Sequence, residues 1–172
     1  NNTMKFCDVP KTGVTVQPGV INDGVGKFVK EIINTSPDSD NFEDSLRESG
    51  AEILINLLPV GSDEAVKYYA QAAINSNVGF INCIPVFIAR DEEWYQKFKD
   101  ASVPLIGDDI KSQVGATIVH RALAQLFSDR GVKLENTYQL NVGGNMDFLN
   151  MLEEDRLETK RTSKTSSVTS VA

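Results

Sequence analysis

The stretch Ala51-Glu-Ile-Leu-Ile-Asn-Leu-Leu58 decides the fold of this chain. It is a short apolar run, rich in branched side chains and followed by proline and glycine, and this pattern predicts a buried strand. Ser62 and Asp63 then begin a predicted helix that continues to about Asn75, with Ser62 as its N-cap. A buried strand followed directly by a helix is the repeating unit of a parallel α/β sheet.

The same alternation continues on the C-terminal side. We predict two further strands at residues 79–84 and 103–107, and helices at 91–100 and from Lys111 or Ser112 to Arg130, ending at Gly131. A weaker helix is expected between the turn residues 23–27 and 37–40, and residues 137–142 predict a strand of a different region. The expected fold class is therefore α/β, part of a Rossmann-like parallel-sheet domain that leads into an α+β region.

Composition narrows the possible functions. The net charge of −7 argues against a nucleic-acid partner, since such binding needs a basic surface. No apolar run approaches the roughly 20 residues of a membrane span, and the first residues show no signal-peptide pattern. Cys7 and Cys83 lie in apolar contexts and are interpreted as reduced core thiols of a cytoplasmic protein. No metal site is predicted.

In a parallel α/β sheet, ligands bind beyond the carboxyl ends of the strands. Three groups of residues lie at the ends of the predicted strands: Pro59-Val-Gly-Ser62, Asn82 and Asp108-Asp109. The first group is either a plain strand-to-helix turn or a set of backbone N–H donors for an anion or a nucleotide edge. The two acids either cap the next helix or belong to a site.

Two further motifs carry polar side chains. Asn141-Val-Gly-Gly-Asn-Met-Asp-Phe148 is either a hairpin turn or a polar loop with a function, and Lys160 and Lys164 are either surface lysines or a catalytic pair. On a helix, a spacing of four places both ammonium groups on one face, where like charge and burial lower their pKa. The last residues, 161–172, have the composition of a disordered Ser/Thr tail.

Together the motifs give a more specific signal. Residues 107–117, 138–148 and 160–164, in this order and at these intervals, resemble the bacterial and archaeal myo-inositol phosphate synthases. The resemblance also includes Asp8-Val-Pro-Lys-Thr-Gly-Val-Thr-Val-Gln17, residues 58–62 and residues 80–88, and so extends along the whole chain.

The resemblance implies a reaction and a set of residues. The family converts D-glucose 6-phosphate to 1D-myo-inositol 3-phosphate with a tightly held NAD, by oxidation at C5, enolisation, aldol cyclisation and reduction. The implied partners are glucose 6-phosphate and, in a homotetramer, further copies of the chain. The implied catalytic residues are Lys160, Lys164, Asp109 and Asp147; the substrate-binding residues are Asn141, Asn145, Asp147 and the two lysines; the cofactor-binding residues are Pro59, Gly61, Ser62, Asn82, Asp108 and Asp109.

The chain departs from the family in two respects. No Gly-x-Gly-x-x-Gly follows a strand, and further lysines of the family have no counterpart in these residues. We therefore expect a central part of a synthase, inactive on its own, with residues 1–110 in the NAD-binding domain and 111–172 beginning the catalytic and tetramerisation domain. A simple NAD-dependent dehydrogenase of a sugar or hydroxy acid, or a non-catalytic NAD-binding fragment, are the alternatives.

Overall fold

Three parallel strands form the centre of the protein. The computed structural model describes residues 10–35, 41–110 and 113–171, so the prediction for Cys7 lies outside it. The strands are β1 (Ile53–Asn56), β2 (Gly79–Asn82) and β3 (Leu105–Ile106), and they pair in the order β1-β2-β3. Each pair is connected through a helix, so the predicted parallel α/β class is confirmed.

Helices connect the strands, cover one face of the sheet and continue beyond it along the chain. In chain order they are α1 (Phe42–Glu48), α2 (Asp63–Ser76), α3 (Glu92–Asp100), α4 (Ala116–Asp129), α5 (Met146–Asn150), a short 3-10 helix (Glu154–Arg156) and α6 (Glu158–Thr169). None of the helices in the described part of the chain is long and apolar enough to cross a membrane.

The hydrophobic core lies between the sheet and helices α2 and α3. Val66 of α2, Phe80 of β2 and Phe98 of α3 are almost fully buried, and the two phenyl rings stack with centroids 6.0 Å apart. On the opposite face, Ile53 and Ile55 of β1 are more than half exposed. The expected burial of the whole 51–58 run is therefore wrong, since the described residues cover one face of the sheet only.

Several predicted boundaries were wrong. Helix α4 begins at Ala116 rather than at residue 111 or 112, because Gly115 has an extended backbone directly before it; Lys111 and Ser112 themselves are not described. The predicted end at Gly131 is confirmed, since this residue has a φ of 69° after the last turn of the helix. Residues 27–33 form successive turns rather than the expected helix, and α1 was not predicted.

Residues 137–142 do not form the predicted strand. Tyr138, Leu140 and Val142 are 83%, 74% and 94% exposed, and no described segment pairs with their backbone. A strand needs a hydrogen-bonding neighbour, which the alternation of apolar residues cannot supply by itself. The segment instead lies against α4, where Gln139 Oε1 is 3.1 Å from His120 Nδ1.

The Ser/Thr-rich end is folded. The composition of a disordered tail is misleading, because residues Glu158–Thr169 form α6, and Ser163, Ser167 and Val168 are buried. Helix α6 packs against α4 and begins directly after the 3-10 helix. This packing brings the two lysines of the helix to the carboxyl edge of the sheet.

Candidate functional site

A cleft of about 730 Å³ lies at the carboxyl ends of the strands. Its floor is formed by residues that follow each strand, and its far wall by the start of α4, the loop before α5, and α6. The lining residues after the strands are Leu58, Pro59 and Val60, then Cys83, Ile84 and Pro85, then Asp109 and Ile110. The cleft therefore occupies the position at which open parallel sheets bind ligands.

Lys160 and Lys164 both line this cleft from consecutive turns of α6. Lys160 Nζ lies 3.1 Å from Asp147 Oδ2, and the lysine side chain is mostly buried. Asp147 belongs to α5, so the ion pair joins the two helices across the edge of the cleft. The structure thus brings together the lysine pair and the acid of the polar loop.

Lys164 has an unusual electrostatic environment. Burial, followed by the positive charge of Lys160, holds the pKa of Lys164 below its ordinary value of 10.5, while Asp147 and Asp109 oppose this shift. No described residue forms a hydrogen bond or ion pair with Lys164 Nζ. An amine whose pKa is lowered gives up its proton more readily than an ordinary lysine and, when protonated, can stabilise an oxyanion.

Asp109 faces the same cleft from the segment after β3. Its backbone has a φ of 73°, a conformation that is costly for a residue with a side chain and is often found at functional sites. Its Oδ2 accepts a hydrogen bond of 3.2 Å from Ser163 Oγ on α6. Asp109 is therefore tied directly to the helix that carries the lysines.

Asp108 has a different role from its neighbour. Its carboxylate accepts hydrogen bonds of 3.0–3.2 Å from the backbone N–H groups of Ile88, Ala89 and Arg90, and one of 2.8 Å from Asn82 Nδ2. Asn82 is buried and also bonds to Asn56. Asp108 and Asn82 do not line the cleft; they hold the segment after β2 in place.

The start of α2 is already occupied by a carboxylate. Asp23 accepts hydrogen bonds from Glu64 N at 2.7 Å and Ala65 N at 2.8 Å, whereas the side chain of Ser62 forms no capping bond. Ser62 holds the N-cap position, but the capping group comes from 39 residues upstream in sequence. The predicted N–H donors for an anion are thus filled by the protein itself.

Gly61 is required by packing. Its φ is +85°, and a Cβ at this position would lie 2.6 Å from Arg156. Arg156 donates to the carbonyl oxygens of Gly61 at 3.2 Å and Asp23 at 3.0 Å, and it pairs with Glu153 at 3.4 Å. This arginine therefore joins the turn after β1 to the segment before α6.

The polar loop divides into two roles. Asn141 lines the cleft, and its Oδ1 accepts from Gln139 Nε2 at 2.8 Å. Asn145 does not line the cleft; its side chain caps α5 by accepting from Phe148 N at 3.0 Å. Because Asp147 is in the first turn of α5, this cap helps to position the acid that pairs with Lys160.

Six of the residues predicted for the site line the cleft: Lys160, Lys164, Asp109, Asp147, Asn141 and Pro59. The other five lie outside its lining: Gly61, Ser62, Asn82, Asp108 and Asn145. Sequence reasoning missed Ser163 and Asp23. The i+3 spacing from Lys160 placed Ser163 on the lysine face, whereas the capping by Asp23 has no local sequence signal. Among the residues with described positions, no group of three metal-ligating side chains is found.

Comparison with known proteins shows which proteins this chain resembles. Residues 115–172 match the family model described as myo-inositol-1-phosphate synthase. The crystal structure of a protein called Ari2 superposes with a TM-score of 0.72 at 38% identity, covering 98% of this chain and 45% of that one. The agreement supports the α/β fold described above.

Individual relatives carry a more specific name. The chain is 58% identical over 172 residues to the inositol-3-phosphate synthases of Mycolicibacterium smegmatis and Mycobacterium tuberculosis, which covers 99% of this chain and 47% of each relative. It is 53% identical over 171 residues to that of Corynebacterium glutamicum. The predicted resemblance to these synthases is confirmed, and the chain spans about half the length of the curated relatives it matches.

Proposed function

We propose that this chain is part of an NAD-dependent inositol-3-phosphate synthase acting on D-glucose 6-phosphate. The observation that carries the proposal is the cleft in which Lys160, Lys164, Asp109 and Asp147 meet at the carboxyl edge of a parallel sheet. Sequence identity of 53–58% to proteins named as such synthases supports it.

Under this proposal, the cleft would hold the nicotinamide end of the cofactor. Apolar side chains such as Leu58, Ile84 and Ile110 line the cleft and suit a nicotinamide ring. Asp23 already accepts from the backbone N–H groups at the start of α2. The pyrophosphate of NAD would therefore need backbone donors elsewhere. When bound, NAD would accept a hydride from C5 of the open-chain sugar and return it at the end of the cycle.

The lysine pair supplies proton transfer and positive charge. Lys164, with its lowered pKa, would take the proton of the C5 hydroxyl as that carbon is oxidised and give it back on reduction. Lys160, held by Asp147, would stabilise the negative charge that develops on the C1 oxygen when the C6 enolate attacks the aldehyde. Asn141, in the loop before α5, would bind the sugar from the same wall of the cleft.

We further propose a homotetrameric, cytoplasmic enzyme with a boundary near residue 110 between its NAD-binding and catalytic regions. The proposal of self-association is supported by α4, whose Val119, Leu123 and Leu126 are about half exposed along one apolar side. Light scattering of the complete protein should give four times the mass of one chain; a monomer would contradict this part of the proposal.

The test of function uses the lysine pair in the complete protein that carries these residues. Lys160→Ala and Lys164→Ala should each lower the rate of inositol phosphate formation by about 10²–10³, the usual effect of removing one donor to an oxyanion. Lys164→Arg should fail as well, because a guanidinium group does not give up its proton in proteins. Both alanine variants should still fold and bind NAD.

Lys67→Ala is the matched control, since Lys67 pairs with Glu64 on the surface of α2. It should leave the rate within twofold of the parent protein. Full turnover in both alanine variants of the pair would show that Lys160 and Lys164 take no part in the reaction. Net accumulation of NADH with no inositol phosphate would instead establish a simple dehydrogenase.

A further inference from the structure

Ser163 lies in the cleft between the two lysines of α6. Its residue surface is only 4% exposed, and it lines the cleft together with Lys160 and Lys164. Its hydroxyl donates a hydrogen bond of 3.2 Å to Asp109 Oδ2, a residue 54 positions earlier in the chain. This bond links the lysine helix to the segment that follows β3.

The hydroxyl of Ser163 behaves differently from its neighbours. Serine and threonine within helices commonly donate to carbonyl oxygens three or four residues earlier. Ser166, Ser167, Thr169 and Ser170 all do so in α6 or at its C-cap, with distances of 2.9–3.2 Å. Ser163 instead donates to Asp109 in another part of the protein, so its hydroxyl links the helix to that carboxylate.

Asp109 needs such a partner. Its carboxylate extends from a backbone in the left-handed region beside the cleft, and the hydrogen bond from Ser163 restricts its rotation. Asp147 is restricted by its ion pair with Lys160 at 3.1 Å. Ser163 provides the corresponding restraint for the second acid, so that two carboxylates act on Lys164 in defined positions.

We propose that Ser163 is a positioning residue that holds the Asp109 carboxylate toward the reacting groups of the cleft. The proposal rests on the synthase function proposed above. Ser163 does not itself exchange a proton with the substrate; it fixes the acid that faces the substrate and Lys164. A hydroxyl hydrogen-bonded to a charged group is suited to this, since such bonds are stronger than neutral ones.

The experiment compares Ser163→Ala with Ser166→Ala in the complete protein. Ser166 is an exposed residue of the same helix whose hydroxyl bonds to a carbonyl of that helix, so both variants lose one hydroxyl. Alanine favours the helix in both cases. Ser163→Ala should lower kcat by roughly tenfold to hundredfold, the effect of losing one hydrogen bond to a charged group, while the Ser166→Ala value should stay within twofold.

A second readout does not depend on turnover. Lysine-selective NMR follows the titration of Lys164, whose ammonium form Asp109 favours. In Ser163→Ala this titration should move to lower pH because Asp109 is no longer held nearby, whereas Ser166→Ala should match the parent protein. An unmoved titration, or a moved one with unchanged kcat, would overturn the proposal. If the parent protein makes no inositol phosphate, the proposed function fails, and the titration alone decides the position of Asp109.

Discussion

Two regions of the molecule are held in place by different kinds of side chains, apolar in one and polar in the other. The first region is the sheet with helices α2 and α3, and the second is helix α6, which faces the sheet across the cleft. The first is held by apolar side chains such as Val66, Phe80 and Phe98, which are almost fully buried. The second buries two serines and one valine and is connected by hydrogen bonds and an ion pair. We therefore expect most of the stability to come from the buried apolar side chains, and α6, which carries the proposed site residues, to contribute less to it.

The largest expected effect is in the apolar region. Phe98→Ala should lower the free energy of unfolding by about 3–5 kcal/mol, because it removes a buried ring that stacks on Phe80 and leaves a cavity. Denaturant unfolding measures the change. Tyr95→Ala on the exposed side of the same helix is the control and should cost about 1 kcal/mol or less. Equal losses in the two variants would mean that this core is not where the stability lies.

The two adjacent acids after β3, Asp108 and Asp109, are expected to differ in the same way: one stabilises the fold and the other serves the proposed site. Asp108→Ala should destabilise the protein by about 2–3 kcal/mol, since the N–H groups of residues 88–90 lose their acceptor. Asp109→Ala should leave the fold nearly unchanged and impair NAD affinity or turnover. Thermal unfolding and NAD titration of both variants separate the roles. A stable Asp108→Ala protein, or an Asp109→Ala protein with normal NAD affinity and turnover, would contradict the assignment.

A smaller effect is expected where a carboxylate caps a helix from a distance. Asp23→Ala should cost about 1 kcal/mol, the usual contribution of an N-cap, because Glu64 N and Ala65 N lose their acceptor. Ser62→Ala, at the N-cap position itself, should cost less than about 0.5 kcal/mol because its side chain makes no capping bond. If Ser62→Ala proves the more damaging change, the serine and not Asp23 caps α2 in solution.

The smallest expected effect is electrostatic. Lys160→Met removes a positive charge and frees Asp147, so the pKa of Lys164 should rise toward 10.5 while burial still holds it below that value. Between the lowered pKa of Lys164 and about 10.5, this lysine is protonated in the unfolded chain but not in the folded one, so the free energy of unfolding rises with pH. This pH dependence should be weaker in Lys160→Met, whose Lys164 pKa lies closer to 10.5. NMR titration and unfolding between pH 8 and 10.5 measure both. Lys67→Met should change neither, and an unchanged Lys164 titration in Lys160→Met would show that the two ammonium groups do not interact.

The strand–helix alternation between residues 51 and 106 could be predicted because local burial determines it. The helix predicted at residues 91–100, for example, is α3, and Asp91 caps it by accepting a hydrogen bond from Trp94 N. Residues 137–142 have the alternation of a strand but lack a partner, and 161–169 have the composition of a tail but form a helix. In both cases the missing information is a contact with a distant part of the chain.

Residue types at fixed spacings were enough to predict the parallel α/β class and the resemblance to the inositol phosphate synthases, and to propose the lysine pair. Three features are visible only in the folded chain: which of two adjacent acids faces the cleft, that Asp23 fills the start of α2, and that Ser163 donates to Asp109. The physical reason is that spacing along the chain defines which side chains share an element, whereas a hydrogen bond between residues 54 positions apart exists only once those elements have packed together.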